Sequence, residues 1–305
     1  MIFLATNDVE TTSIWHNNLR DETGLKVMRE GMPVLLDLYQ KYNIKSTFFF
    51  TGYIARLLPE IVKMVVPHGH EVASHGMSHR PEDSFDLLSL NDQIRDLKQS
   101  KKILEDISGQ EIISFRAPAL RVKGESIVRA LEESEYLIDS SVASQRFDML
   151  LSFGALKKMR WLSAPRLPYR ASKNNIFRIG NSSITEVPLS AMLFPYLGTT
   201  MRIFPNITKI IRRILYVESK LTTKPIVFDI HPNEFIDESN EQSENNIRIE
   251  NRLAALYQDV LRAKIKRKNL GHSAKALYEQ QIKFFVKNNF KFLRIKDFKD
   301  FMINK

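Results

Sequence analysis

His70-Glu71-Val72-Ala73-Ser74-His75-Gly76-Met77-Ser78-His79 places two imidazoles directly after a short strand candidate, Glu71–Ser74. Around it, further apolar runs of strand length recur at Ile2–Ala5, Ser46–Thr51, Ile113–Arg116, Tyr136–Ser140, Thr185–Leu189, Ile226–Ile230 and Phe290–Ile295. Helical patterns lie between many of them. One covers Leu25 to Lys41. Another covers Asn91 to Ile107, where Ile94, Leu97, Leu104 and Ile107 share one side and Ser108-Gly109 ends the run. Strands alternating with helices read as βαβ units around parallel strands. Seven or eight such units favour a barrel over an open sheet, with chemistry at the carboxyl ends of the strands.

Composition narrows the function classes. The 305 residues, 43% hydrophobic and 26% charged, have the balance of a globular protein rather than a disordered one. No apolar run approaches the length of a membrane-spanning helix. The absence of Cys excludes disulfides, thiol nucleophiles and thiolate metal sites, so any metal is held by His, Asp and Glu. Met1-Ile2-Phe3-Leu4-Ala5 turns polar at Thr6 and lacks the basic start and apolar core of a secretory signal, which predicts a cytoplasmic protein. The net charge of +10 suits nucleic acid, an anionic membrane surface or phosphorylated substrates. Ile236–Asn246 is acidic and amide-rich and reads as a loop or insertion. The basic region beyond it carries eleven Lys or Arg between Arg262 and Lys296.

Each strand end carries a candidate group. Asp8 and Glu10 follow the first strand and face one side if extended geometry persists. Such a pair suits one metal ligand and one general base. The spacing of His75 and His79 puts both imidazoles on one side of a helical turn, and two imidazoles plus a carboxylate leave room for a reactive water. Arg116, in Phe115-Arg116-Ala117-Pro118, can hold a carboxylate ionised. Asp139 begins Asp139-Ser140-Ser141, and His231 ends an apolar strand where it can serve as a general acid. Singly, each has a plainer explanation: a helix N-cap, a surface turn, a surface ion pair, a satisfied core histidine. Their order, one at each successive strand end, does not.

In that order the chain resembles the polysaccharide deacetylases, the NodB-homology family (carbohydrate esterase family 4). Ser46-Thr47-Phe48-Phe49-Phe50-Thr51-Gly52 is similar to the family's second strand, and Gly69 to His79 to its histidine motif. The resemblance implies a distorted (β/α)7-8 barrel, an α/β fold forming one domain over residues 1–305, with 236–275 as a loop and basic helical region before the last strand. It implies metal-dependent N-deacetylation of an N-acetylated sugar. Asp8 would be the catalytic base, Glu10, His75 and His79 the metal ligands, Arg116 the residue that orients the base, Asp139 a groove-lining support and His231 the general acid. Tyr169 and Pro118 would line the substrate groove. The metal would be a divalent ion, with zinc the first choice and cobalt an alternative. One departure is that Val9 separates the two acids and Glu stands where Asp is commoner. The expected substrate is a lipid-linked or nucleotide-linked glycan precursor at the cytoplasmic side.

Other readings stay open. Met201–Lys220 suits either an amphipathic helix in peripheral contact with an anionic membrane or a barrel helix with a solvated basic face. A nucleic-acid binder is disfavoured by scattered lysines and the absence of a Gly-aromatic RNA motif. A metal-free, allantoinase-like amide hydrolase and a non-catalytic carbohydrate-binding relative share the expected fold.

Overall fold

A computed structural model describes residues 1–144, 161–239, 241 and 262–298. Ten strands form its main sheet: β1 (Ile2–Val9), β2 (Thr47–Phe50), β3 (Glu71–Ser74), β4 (Ser114–Phe115), β5 (Ile138–Asp139), β6 (Tyr169–Ser172), β7 (Asn175–Ile179), β8 (Thr185–Glu186), β9 (Ile226–Asp229) and β10 (Lys291–Phe292). Their spatial order is β9-β1-β2-β3-β4-β5-β8-β6-β7, with β10 also on β1. From β9 through β8 every pairing is parallel, and β6 and β7 add an antiparallel hairpin beside β8. The expected strands are all present, several of them shorter, and β1 runs four residues further than its apolar start.

All eight residues of β1 are buried, including polar Thr6, Asn7 and Asp8, because both edges of the strand are occupied. β9 pairs with Phe3 to Thr6 on one edge; on the other, β10 pairs with Ile2 and Phe3 and β2 with Thr6 to Val9. Asn7 is satisfied by Thr47 O (3.1 Å) and by the Tyr39 hydroxyl, which donates to its Oδ1 at 2.6 Å. Phe48, Phe49 and Phe50 of β2 are fully buried and anchor the core on both faces of the sheet.

The sheet curls but does not complete a regular barrel. Among the described residues no ladder joins β8 to β9; beyond β8, Ser190 N donates to Val227 O at 3.2 Å and bridges the gap. The architecture is therefore an α/β half-barrel with a mixed sheet, the distorted form of the expected barrel.

Five longer helices pack around the sheet: α1 (Met32–Lys41), α2 (Leu90–Ser108), α3 (Ser126–Glu133), α4 (Pro205–Thr222) and α5 (His272–Lys287). In α2 the Ser89 hydroxyl accepts from Asp92 N, and Gly109 ends the helix at φ 65°, a conformation glycine adopts without a Cβ clash. Ahead of α1 the chain makes a wide π-type turn at Val27–Gly31. This turn seats Gly31 against the loop after β9, where a Cβ would lie 2.3 Å from Pro232 O. Of the 236–275 region, residues 240 and 242–261 lie outside the described residues. The described part contains a short helix at Arg262–Lys266 and the start of α5. No helix among the described residues is long and apolar enough to cross a membrane.

Candidate active site

The carboxyl ends of β1, β3, β4 and β9 bring Asp8, Glu10, His75, His79, Arg116 and His231 together, though these residues are up to 223 positions apart. Because β1 stays extended to Val9, alternation sends Asp8 and Glu10 to the same side and buries Val9 on the other.

Arg116 is the fixed point. Its guanidinium is fully buried and lies over the Phe49 ring at 4.3 Å. Nη1 donates to Asp8 Oδ1 (2.8 Å), Asp229 Oδ1 (2.7 Å) and Thr6 Oγ1 (2.9 Å); Nε donates to Ser140 O and Nη2 to Ser140 Oγ. Burial pushes the Asp8 carboxyl up, but the charges of Arg116 and His231 and the hydrogen bond from Arg116 outweigh it and hold the group at about 2. Asp8 is therefore ionised across the neutral range, with Oδ1 held and Oδ2 turned toward His75 and His231.

His75, Glu10 and His79 offer one ligand atom each within 4.8 Å of one another. His75 is buried, and its Nδ1 lies 2.7 Å from Arg116 O. A carbonyl only accepts, so Nδ1 carries the proton and Nε2 presents its lone pair inward. Burial also disfavours the imidazolium of His75. The two histidines do not lie on a helical turn as their spacing predicts. Gly76, at φ 67°, bends the chain off the strand, and Asp96 Oδ1 accepts from Met77 N at 2.9 Å, so the pair sits on an irregular loop. His79 Nε2 accepts from Ala119 N at 3.2 Å and stands 3.2 Å from Glu10 Oε2. That Glu10 oxygen is buried and has no hydrogen-bond donor. A buried carboxylate oxygen with no donor, beside two imidazole nitrogens, is what a cation resolves, so Glu10, His75 and His79 fit a divalent metal. Asp8, Asp229 and His231 also cluster closely enough for a metal. Arg116 already spends a charged donor on one oxygen of each of those carboxylates, so a second cation there would meet a guanidinium.

His231 faces Asp8 from the end of β9, with Nε2 4.0 Å from Asp8 Oδ2. Its Nδ1 lies 3.4 Å from Glu234 Oε1 and 3.8 Å from Asp229 Oδ2. Burial works against its charged form, yet the hydrogen bond to Glu234 and the charges of Asp229, Asp8 and Glu10 push its pKa up to about 10. Glu234 is itself buried and pairs with the buried Arg202 at 2.5 Å. Glu234 and Arg202 were not expected from sequence; Glu234 stands three residues after His231, and Arg202 carries no local signal. Asp229 was readable, since it precedes His231 by two along a strand.

Three expected residues stand elsewhere. Asp139 is fully buried, accepts from Ser141 Oγ at 2.6 Å and lies in register with Glu186 of β8. It lines no groove; Ser140, one residue on, makes the contacts with Arg116. Tyr169 is buried in the β6–β7 hairpin, and its hydroxyl donates to Ile176 O at 2.6 Å, which commits the group that was to meet substrate. Pro118 is buried at the start of a single tight turn that presents Ala119 N to His79. The open cleft beside Glu10 and His79 is lined instead by Thr51, Tyr53, Ser78 and Arg80, with Tyr53 donating to Asp21 Oδ1 at 2.8 Å. Trp15 and His16, close to the first motif, are engaged away from it by Arg267 and Glu241.

Known proteins resemble part of the sequence and the fold. The polysaccharide deacetylase family pattern matches residues 15–136. A peptidoglycan deacetylase of Helicobacter pylori is 34% identical over 95 residues, which span 31% of this chain and 31% of the relative; the chain thus matches about a third of that protein's length. Among solved structures, a polysaccharide deacetylase fold from Mycobacterium smegmatis superposes with TM-score 0.56 at 19% identity, covering 92% of this chain and 91% of the other. Puue allantoinase superposes with TM-score 0.58 at 15% identity, covering 97% and 88%. At these identities the structural likeness speaks for the fold alone.

Proposed function

We propose, from the match of residues 15–136 to the polysaccharide deacetylase family pattern, that this protein hydrolyses the amide of an N-acetylated sugar to acetate and the free amine. The observation that carries this reading is the convergence of an ionised Asp8, a protonated His231 and the Glu10–His75–His79 ligand set at one end of the sheet.

Glu10, His75 and His79 would hold the divalent ion, zinc or cobalt, which when bound acidifies a water and polarises the acyl carbonyl. Asp8 accepts the proton of the attacking water at Oδ2, the oxygen Arg116 leaves free. A carboxylate held at about 2 is a weak base, so Arg116 trades basicity for a fixed charge and a fixed orientation. As the water oxygen bonds to the acetyl carbon, the C–N bond breaks and the electron pair goes to nitrogen. His231 donates its Nε2 proton to that nitrogen, and Glu234 at Nδ1 steadies the imidazolium beforehand. Without this proton the amine is too poor a leaving group and the acyl carbon returns to it.

The finer reading is a glycan precursor carried on a lipid or nucleotide at the cytoplasmic side. The net charge of +10 supports a substrate bearing phosphate. The peptidoglycan named for the Helicobacter pylori relative supports an N-acetylhexosamine unit. The test is acetate release from peptidoglycan fragments, chitin oligomers, nucleotide sugars and polyprenyl-phosphate sugars, with and without a chelator. Chelator-sensitive acetate from one class is expected; no acetate from any class overturns the reading.

A further inference from the structure

A helix that covers a curled sheet needs one apolar stripe, and α4 has two. Thr208, Ile211, Leu215 and Ser219 form the buried stripe that faces the sheet. On another face, Ile210, Ile214, Val217 and Leu221 are exposed by 59%, 41%, 52% and 79%. Their spacing of four, three and four keeps them within about 60° of arc along roughly 16 Å of helix. Scattered surface aliphatics need no explanation, but four in line do.

Charge identifies what covers them. Lys209, Arg213 and Lys220 are exposed on the flank of this stripe, turned from it by no more than about one residue's rotation. No ion pair engages any of the three among the described residues. The single acid of α4, Glu218, is withdrawn from the face: Arg166 grips it through Nε and Nη2 at 2.7 and 2.6 Å, and Lys224 adds a third contact at 3.0 Å. Beyond the basic flank lies α5, joined to α4 by Tyr216 on Phe284 (5.7 Å between ring centroids) and by the Arg212 guanidinium over Phe284 at 4.2 Å. α5 extends the face with exposed Lys283, Val286 and Lys287. Its acid, Glu279, is occupied by Lys41 and Tyr42 and also pairs with Lys283 at 3.4 Å. A second copy of the chain docking here would bring Lys209, Arg213 and Lys220 against their own counterparts, with no unpaired carboxylate on α4 to offset them.

We infer that the outer face of α4 docks on an anionic lipid bilayer, with the four aliphatics entering the interface and Lys209, Arg213 and Lys220 meeting lipid phosphates. Arg212, which the sequence groups with these cations, takes no part, because it is committed to Phe284 and to Gln280 O. The inference rests on this face alone and stands apart from the reaction at the strand ends.

The experiment is co-flotation of the full-length protein with vesicles of phosphatidylcholine alone or of equal parts phosphatidylcholine and phosphatidylglycerol. Binding to the anionic vesicles only is expected, weakening with salt. Lys209→Gln/Arg213→Gln/Lys220→Gln should lower the partition coefficient roughly 100-fold. Ile210→Ser/Ile214→Ser/Leu221→Ser should lower it at least about tenfold with every charge retained. All six side chains are exposed, so unchanged circular dichroism melting is expected and shows that the variants fold. Failure of the unaltered protein to float with anionic vesicles overturns the inference, as does flotation that neither triple variant reduces. Self-association in sedimentation that the serine variant abolishes also overturns it and assigns the face to a second copy.

Discussion

Glu234 Oε1 lies 3.4 Å from Nδ1 of His231, on the side of the ring away from Asp8. The pair is short-range in sequence but held by a distant third residue, Arg202, which engages the other Glu234 oxygen. Replacing Glu234 with Gln keeps an acceptor and removes the charge. His231 then loses part of what raises its pKa to about 10. A general acid works while protonated, so the alkaline fall of kcat should move to lower pH, while KM changes little. A pH-rate profile measures this. Arg202 is left buried without its counterion, so the melting temperature should also drop, by the equivalent of about 3 kcal/mol.

Asp8→Asn removes the proton acceptor but none of the three metal-ligating side chains. Turnover should fall about 10²–10⁴-fold. Metal content, measured by elemental analysis on the same preparation, should stay unchanged. Loss of metal together with activity would reassign Asp8 to the ligand set.

His79→Ala and Glu10→Gln test the other half of the site. His79 is partly exposed and lies on a loop, so its removal should leave the fold intact and abolish metal retention through gel filtration. Glu10→Gln trades an unpartnered buried carboxylate for a neutral amide. It should weaken metal binding by about 10-fold or more while raising thermal stability of the metal-free protein.

Asp139→Asn should leave kcat within about tenfold of the unaltered protein. The carboxyl is buried opposite Glu186, and burial raises both groups, so the pair already holds a proton rather than two full charges. Steady-state kinetics decide the matter; a loss as large as that for Asp8→Asn would restore Asp139 to the chemistry.

His70 predicts an acid limb in stability. Its Nδ1 accepts from Ser46 N at 3.1 Å, and its ring packs on Phe48 and Tyr39. Burial, then the nearby cations Lys45, His68 and Arg294, lower its pKa from 6.5 to about 3. The folded-state value lies below the unfolded one, so this contribution is complete above pH 6.5 and declines as pH falls toward 3. The slope should approach about 1.4 kcal/mol per pH unit within that window. Urea midpoints at several pH values measure it, and His70→Asn, which can still accept from Ser46 N, should flatten the slope.

The strand ends were legible because each motif residue lies within two or three positions of the apolar run that carries it. Asp8 lies at the end of β1, and His75, Arg116 and His231 follow β3, β4 and β9, and parallel pairing brings such ends together. What depends on register was not legible. Asp139 and Ser140 differ by one position, and in strands one position exchanges faces, so motif order alone could not say which of them meets Arg116. Tyr169 belongs to an antiparallel hairpin that no strong alternation announces. The Glu234–Arg202 contact joins residues 32 apart with no shared pattern. The spacing of His75 and His79 suggested a helix, and Gly76 with its left-handed backbone made a loop that reaches the same convergence.

The pairing of β1 also sets an order of events during synthesis. Its first partner, β2, emerges some forty residues later, but β9 follows only after more than two hundred and β10 near residue 291. Until then Asp8 and Arg116 share the carboxyl end of an unfinished sheet without Asp229 between them, and the edge of β1 that β9 will occupy stays open. Such late closure makes for a high contact order and slow folding. A nascent chain long enough to contain the whole matched family segment would still lack His231, so the proposed chemistry waits for a residue made almost a hundred positions after that segment ends.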